Sequence, residues 1–289
     1  MKDLQASIHF LAQSELYHTE KPYALRYTGE KEIAQTNIQL EKHDDIPIHD
    51  IRGRERDFSL EKNGFTISKM SSRMFYRDFS DPERVNAIYL HEVATHLKDM
   101  LGARHVQIYE HMIRKRHPDF PISTGKEYQY DQPTSQAHID TTPSSIEALV
   151  ARLNGDQAEG MQKHHLQCIN VWKPLRGPLQ DWPLAVCDAA SVDADNLVVS
   201  DKVYPDFATE NVQVHRDARQ RWYYLSGQQP DELLVFRQTD SKRKGMGGGG
   251  CPHSSFRNPL AGDDELPRES IEARAIVYYG DCDHGPLHD

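Results

Sequence analysis

Between residues 166 and 280 the chain keeps returning to one kind of text. Short apolar, β-branched and aromatic runs are separated by turn signals at irregular spacing. LQCINVWKPL (166–175), PLAVCDAAS (183–191), RWYYLSG (221–227), ELLVFRQTDS (232–241) and ESIEARAIVYYG (269–280) each read as a strand, the first broken by Pro174. Many short strands with no helix between them bury their apolar faces only against one another, as a sandwich or barrel. The front of the chain carries the helices. In DPERVNAIYLHEVATHLKDML (81–101), Val85, Ile88, Tyr89, Val93, Leu97 and Leu101 recur at helical spacing. Asp81 caps that helix, Pro82 fits its first turn and Gly102 ends it. A second helix is expected from about Ser144 to Leu153. IPIHDIRGRERDFSLEKNGFTIS (46–68) reads as two short strands around a charged loop, with Asn63-Gly64 as a turn. ARHVQIYEHMIRKR reads as a strand with a basic tail, and 117–137 as loop.

The expected fold class is therefore mostly β with flanking helices (α+β), a sandwich or barrel with helices on one side. No linker divides the 289 residues, so a single domain is expected. Residues 1–130 would supply helical and strand support, 131–280 the β core with the site, and 281–289 a frayed tail. Asp and Glu number 44 against 34 Lys and Arg, a net charge of −10. That disfavours a nucleic-acid or anionic-membrane partner. No run approaches the ~20 apolar residues of a membrane span, and the N-terminus lacks a secretory apolar core. Cys168, Cys187, Cys251 and Cys282 form no CxxC pair and read as reduced thiols in a cytoplasmic protein.

Sixteen histidines are the unusual count. His-x-Asp places both side chains on one face of a strand, where they can grip one ion. The pattern occurs four times, at His43/Asp45, His117/Asp119, His138/Asp140 and His215/Asp217. Chance supplies most of these, and a solvated loop pair is the bland reading for each. Downstream context separates them. A non-haem Fe(II) oxygenase needs two histidines and one carboxylate on one face of the metal, with three positions open. A keto-acid cosubstrate such as 2-oxoglutarate fills two of those positions and O2 the third. The far carboxylate of the cosubstrate needs a cation, best an arginine fork. Arg-x-Ser occurs once, at Arg268 and Ser270 on a predicted strand, where Glu272 and Arg274 face the same way. His253, just before it in CPHSSF, is the natural distal ligand, and His138/Asp140 the best proximal pair. His215/Asp217 lies in a polar, Arg-rich stretch. The run GMGGGG (245–250) lacks the Lys-Ser/Thr of a phosphate loop and reads as a flexible loop. No Gly-x-Ser-x-Gly elbow supports a hydrolase.

These blocks resemble the fungal AsaB/CmcJ-like hydroxylase/desaturase group, related to gibberellin desaturase and the cephem 7-methoxylase component. The matching segments run in order from about residue 49 to 280: HDIRGRERDFSLEKNGF, LGARHVQIYEHMIRK, QAHIDTTP, INVWKPLRGPLQDWPLAVCDAAS, RWYY, ELLVFRQTDS, PHSSF and RESIEARAIVYY. The resemblance implies a double-stranded β-helix (jelly-roll, cupin-like) core and Fe(II)/2-oxoglutarate chemistry with O2 on a small-molecule secondary metabolite. It places the iron ligands at His138, Asp140 and His253, and the cosubstrate at Arg268 and Ser270. Arg274 becomes a second cation there or a partner for a substrate carboxylate. Asn170 and Trp172 share one strand face and line the pocket, with core packing an equal alternative for Trp172. Tyr224 is a further pocket candidate. A homodimer is the family habit. The block before His253 is richer in glycine than the family's. A non-catalytic binding or partner subunit, a methyltransferase, and a metalloenzyme without 2-oxoglutarate remain as other readings. The first lacks a reason for an intact triad, the second lacks a Gly-rich strand–helix turn, and the third has no use for Arg268.

Overall fold

Asp81 opens the long helix as expected: its Oδ1 accepts from the backbone N–H groups of Glu83 and Arg84 at 3.0 and 3.3 Å. The helix runs through Pro82–Arg84, a π-helical stretch at Val85–Tyr89, and α-helix Leu90–Leu101, and stops at Gly102, whose φ is +63°. This computed structural model describes residues 3–27, 33–122, 127–245, 247–262 and 264–280. The expected tail at 281–289, with Cys282, lies outside them, as does Met246 of the glycine run. The second helix forms at Pro143–Asn154, with the Thr142 hydroxyl capping Ser145 N.

Two sheets form the rest. The larger runs in the order β1 (Leu4–Leu11), β3 (Leu40–Asp50), β11 (Trp222–Tyr224), β8 (Leu184–Cys187), β13 (His253–Ser255), β6 (His138–Ile139), β10 (Ala208–Val214), β9 (Leu197–Val203) and β2 (Tyr23–Leu25). The smaller runs β4 (Phe65–Lys69), β12 (Glu232–Asp240), β7 (Leu166–Pro174), β14 (Glu269–Tyr278) and β5 (His105–Lys115). Both central strands β7 and β14 alternate between two environments. Ile169, Val171, Ile271, Ala273 and Val277 face out and are covered by Val93 and Leu97 of the long helix. Asn170, Trp172, Ser270 and Arg274 face in. The inner faces of the two sheets meet where Leu184 and Val186 of β8 pack with Trp172, Leu234 and Phe236.

The strands read from 46–68 form, but not as a hairpin: β3 belongs to the larger sheet and β4 to the smaller. The chain crosses between sheets through the short helix Leu60–Asn63, and Gly64 ends it at φ +80°. A Cβ on Gly64 would lie 2.9 Å from that of Ala189. All four edge strands (β1, β2, β4, β5) come from residues before 131. The expected support region is thus woven into both sheets.

Candidate active site

β6 and β13 are neighbours, and His138 and His253 are directly paired across them. Their rings lie 4.4 Å apart between centroids. Asp140 follows two residues after His138 and turns its carboxylate between the two imidazoles. His138 Nε2 is 3.3 Å from Oδ1 and His253 Nε2 3.5 Å from Oδ2. One ligand atom from each residue falls within 4.8 Å of the other two. The Gln136 carbonyl lies 2.8 Å from His138 Nδ1 and can only accept. That assigns the proton to Nδ1 and leaves the Nε2 lone pair facing the triad. The Cys251 carbonyl stands in the same relation to His253 Nδ1 at 3.4 Å. The glycine run sets that strand by close packing rather than by looseness. A Cβ on Gly250 would meet the Gln238 carbonyl at 2.3 Å and Ile139 Cγ2 at 2.8 Å.

The opposite sheet completes the surroundings. Asn170 Nδ2 donates to Asp140 Oδ2 at 2.6 Å, and Gln238 Oε1 accepts from Asp140 N at 2.7 Å. Arg274 Nη2 lies 3.2 Å from Asp140 Oδ1. Burial opposes ionisation of Asp140, but Arg274 and the two histidines outweigh it and hold its carboxyl well below the usual range. Burial, reinforced by His138, pushes His253 down to about 3, so its ring is neutral at physiological pH. A neutral imidazole at His253 and an ionised carboxylate at Asp140 are protonation states that bind a divalent metal. Asn170 Oδ1 is buried beside them with no hydrogen-bond partner.

Arg268 is buried, 2% exposed, on the inner face of the smaller sheet. Its guanidinium stacks 5.1 Å over Trp172. Nη1 donates to the Trp182 carbonyl at 2.9 Å and to Ser255 Oγ at 2.5 Å, and Nε donates to Ser270 Oγ at 3.1 Å. No carboxylate lies within 4 Å of the guanidinium among the described residues, although the Arg268 backbone N–H donates to Asp181 Oδ2 at 2.7 Å. Burial, then the neighbouring Arg114, lowers its pKa to about 9, and the opposing pull of Glu272 and Asp181 does not make up the difference. A narrow void joins Arg268 and Trp172 to His138 and His253.

The Arg274 guanidinium is engaged by Glu110 at 2.7 Å, Glu272 at 2.9 Å and Asp140 at 3.2 Å, so it braces the triad, and it lines the narrow void at Arg268 as well as the wider space beside Asp140. Tyr224 is not brought to the site; it packs edge-to-face on Phe256 in the core of the larger sheet. The rival His215 is buried with Nδ1 on the Leu11 carbonyl, and Asp217 is tied to Asn196 and Arg219. Gln238, Glu110, Lys202 and Ser255 adjoin the site without having been singled out. Only Ser255 carried a signal: it lies two residues from His253 and so shares its strand face.

The chain is similar to known proteins over most of its length. The family model described as an oxidoreductase/YMDC permease-like domain matches residues 8–278. The Fe(II)/2-oxoglutarate-dependent dioxygenase nvfI of Aspergillus novofumigatus is 30% identical over 267 residues, covering 91% of this chain and 92% of that protein. The hydroxylase/desaturase efuI of Hormonema carpetanum is 31% identical over 82% of this chain and 84% of its own. The solved structure of the iron and alpha-ketoglutarate-dependent endoperoxidase NvfI superposes with a TM-score of 0.83 at 27% identity, covering 96% of this chain and 99% of that one. The expected jelly-roll is thereby borne out.

Proposed function

The chain belongs to the Fe(II)/2-oxoglutarate-dependent dioxygenases, and we propose that His138, Asp140 and His253 are its iron ligands and Arg268 its cosubstrate anchor. It is an oxidoreductase that uses Fe(II), 2-oxoglutarate and O2. The residues fit the metal. Two Nε2 lone pairs and one ionised carboxylate converge, and the partnerless Asn170 Oδ1 offers an acceptor to a ligand beside them.

Bound Fe(II) supplies the redox chemistry that couples decarboxylation of 2-oxoglutarate to succinate and CO2 with oxidation of an unactivated C–H bond. Everything else falls to the chain. His138 and His253 are oriented by backbone carbonyls, and Asn170 fixes the free rotation of the Asp140 carboxylate. Arg274, from β14, balances the Asp140 charge. Arg268, Ser270 and Ser255 present a cation and two hydroxyls to the distal carboxylate of the cosubstrate. Trp172 and Phe236, the latter 4.8 Å from the His253 ring, keep water from that end.

One observation carries the assignment: a fully buried guanidinium with no carboxylate in contact with it shares a void with both histidines. A metal enzyme without a keto acid has no use for it. Among the described residues no helix is long and apolar enough to cross a membrane. The reading extends to a cytoplasmic enzyme, a homodimer without a nucleic-acid partner, acting on a small-molecule secondary metabolite by hydroxylation, desaturation, cyclisation or peroxidation. Its test is anaerobic. Fe(II) and 2-oxoglutarate added together should give the visible charge-transfer band of a chelated keto acid, absent in His138→Ala. Iron-loaded protein without the band contradicts the assignment.

A further inference from the structure

Two open voids of ≈ 390 and ≈ 420 Å3 adjoin the triad. Glu110, Asp140, Lys202, Tyr204 and Arg274 line both, so they are two arms of one chamber. Tyr109, Leu149 and Phe207 give one arm an apolar wall, with the exposed Arg152 lying over Phe207 at 5.2 Å at its rim. The other reaches Arg114 and the exposed Arg26, with Asp131 at its edge. Arg268 lines neither arm, and Lys202 does not line the narrow void that holds Arg268. The cosubstrate anchor and Lys202 thus serve different spaces.

The charges in the chamber are unequally matched. Arg274 has three carboxylates. Lys202 has none within 4 Å among the described residues, and its Nζ reaches only the Asp140 carbonyl, at 3.4 Å. Glu110 is held by Arg274. The residue before Lys202, Asp201, points to the other face of β9 and pairs with Lys21 at 2.5 Å. Glu210 on β10 also turns to Lys21, at 2.6 Å. Strand alternation therefore sends the local carboxylates outward and leaves one ammonium inside. In a chain with ten more acidic than basic groups, an unmatched cation in a cavity is not explained by a shortage of partners. A partly buried charge without a partner costs stability, and a ligand anion offsets that cost.

We propose that Lys202 determines specificity by binding a carboxylate, or an equally acidic ionised oxygen, on the substrate, whose apolar skeleton lies against Tyr109, Leu149 and Phe207. This rests on the oxygenase reading above. The same chemistry could be supplied by the keto-acid end of the cosubstrate, and the experiment separates the two.

The Fe(II)- and 2-oxoglutarate-loaded protein is incubated without O2 with apolar ring-bearing carboxylic acids, from cyclohexylacetic to abietic acid, each beside its methyl ester. Retained compounds are read by affinity selection and mass spectrometry. The wild type should retain acids over their esters, the best pair by about tenfold, or ~1.4 kcal/mol. Lys202→Met should bring that ratio to about one, and Lys202→Arg should keep it, because only the charge is needed. Should Met not be tolerated, Lys202→Gln reads the same effect. The visible band and the 2-oxoglutarate affinity should persist in all variants. Acids no better retained than their esters, including no acid retained at all, overturn the proposal. So does a preference that survives Lys202→Met, or a loss of 2-oxoglutarate affinity in that variant with the preference intact. A wild type without the band overturns the oxygenase reading itself.

Discussion

Arg268→Met separates an anchor from a structural arginine. Methionine keeps much of the length and apolar volume and removes the charge and its donors. Binding a carboxylate with a guanidinium replaces charge-assisted hydrogen bonds worth about 1.5–3 kcal/mol each. Losing two at the lower end costs about 3 kcal/mol, roughly a hundredfold in 2-oxoglutarate affinity. The folded protein should suffer far less. It loses the bonds to the Trp182 carbonyl, Ser255 and Ser270, and the contact with Trp172. Against that, it no longer buries a cation whose pKa burial lowers to about 9. These terms oppose each other, so the melting temperature should move by only a few degrees, on the order of 1 kcal/mol. Arg268→Lys, which keeps the charge and loses the fork, should fall between, at about tenfold. The assay is anaerobic calorimetric titration of 2-oxoglutarate into the Fe(II) protein, with a thermal melt of each variant. A folded Arg268→Met protein that binds 2-oxoglutarate like the wild type would refute the reasoning. A collapse of the melting temperature would show that the arginine holds up the fold instead.

Three further perturbations test other parts of the account. Asn170→Leu removes the donor to Asp140 Oδ2 at 2.6 Å and should weaken Fe(II) binding by about tenfold or more in chelator competition; unchanged affinity would remove Asn170 from the site. Lys173 lies under the long helix, 3% exposed, its ammonium facing the rings of Phe79 and Tyr89 at 4.9 and 5.0 Å. Burial pushes its pKa down to about 8 from 10.5. The folded state therefore pays for the charge below pH 8, and that destabilisation fades as the pH rises through 8 to 10.5. Lys173→Met should stabilise the protein at pH 7 by about 2 kcal/mol in denaturant unfolding, and by little at pH 10.5; an equal gain at both would point to packing alone. Gly250→Ala drives a Cβ into the Gln238 carbonyl, whose side chain holds Asp140 N, so both stability and iron affinity should drop, by about 2 kcal/mol or more in the first. A variant as stable as wild type would mean that the glycine run can yield.

Much of this was legible because β strands repeat every two residues. Arg268, Ser270, Glu272 and Arg274 do share a face, and Asn170 and Trp172 do look inward beside them. Asp81 and Gly102 marked their helix to the residue. The edges were harder. β1 and β10 mix polar residues into their alternation because one side of each is partly exposed, and β9 carries Ser200, Asp201 and Lys202 in its middle. The partners of the site were hardest. Gln238 and Glu110 stand on strands far away in sequence, and only the stacking of the two sheets brings them to Asp140 and Arg274. Tyr224 shows the converse error: an aromatic near a strand end is more often core, and here it is.

The most direct measurement is a crystal structure of the protein grown without O2 in the presence of Mn(II) and 2-oxoglutarate, with the metal located by its anomalous signal. The account requires the metal among His138 Nε2, the Asp140 carboxylate and His253 Nε2, and the distal carboxylate of 2-oxoglutarate at Arg268. A metal held elsewhere, or a cosubstrate whose distal carboxylate sits away from Arg268, would contradict it.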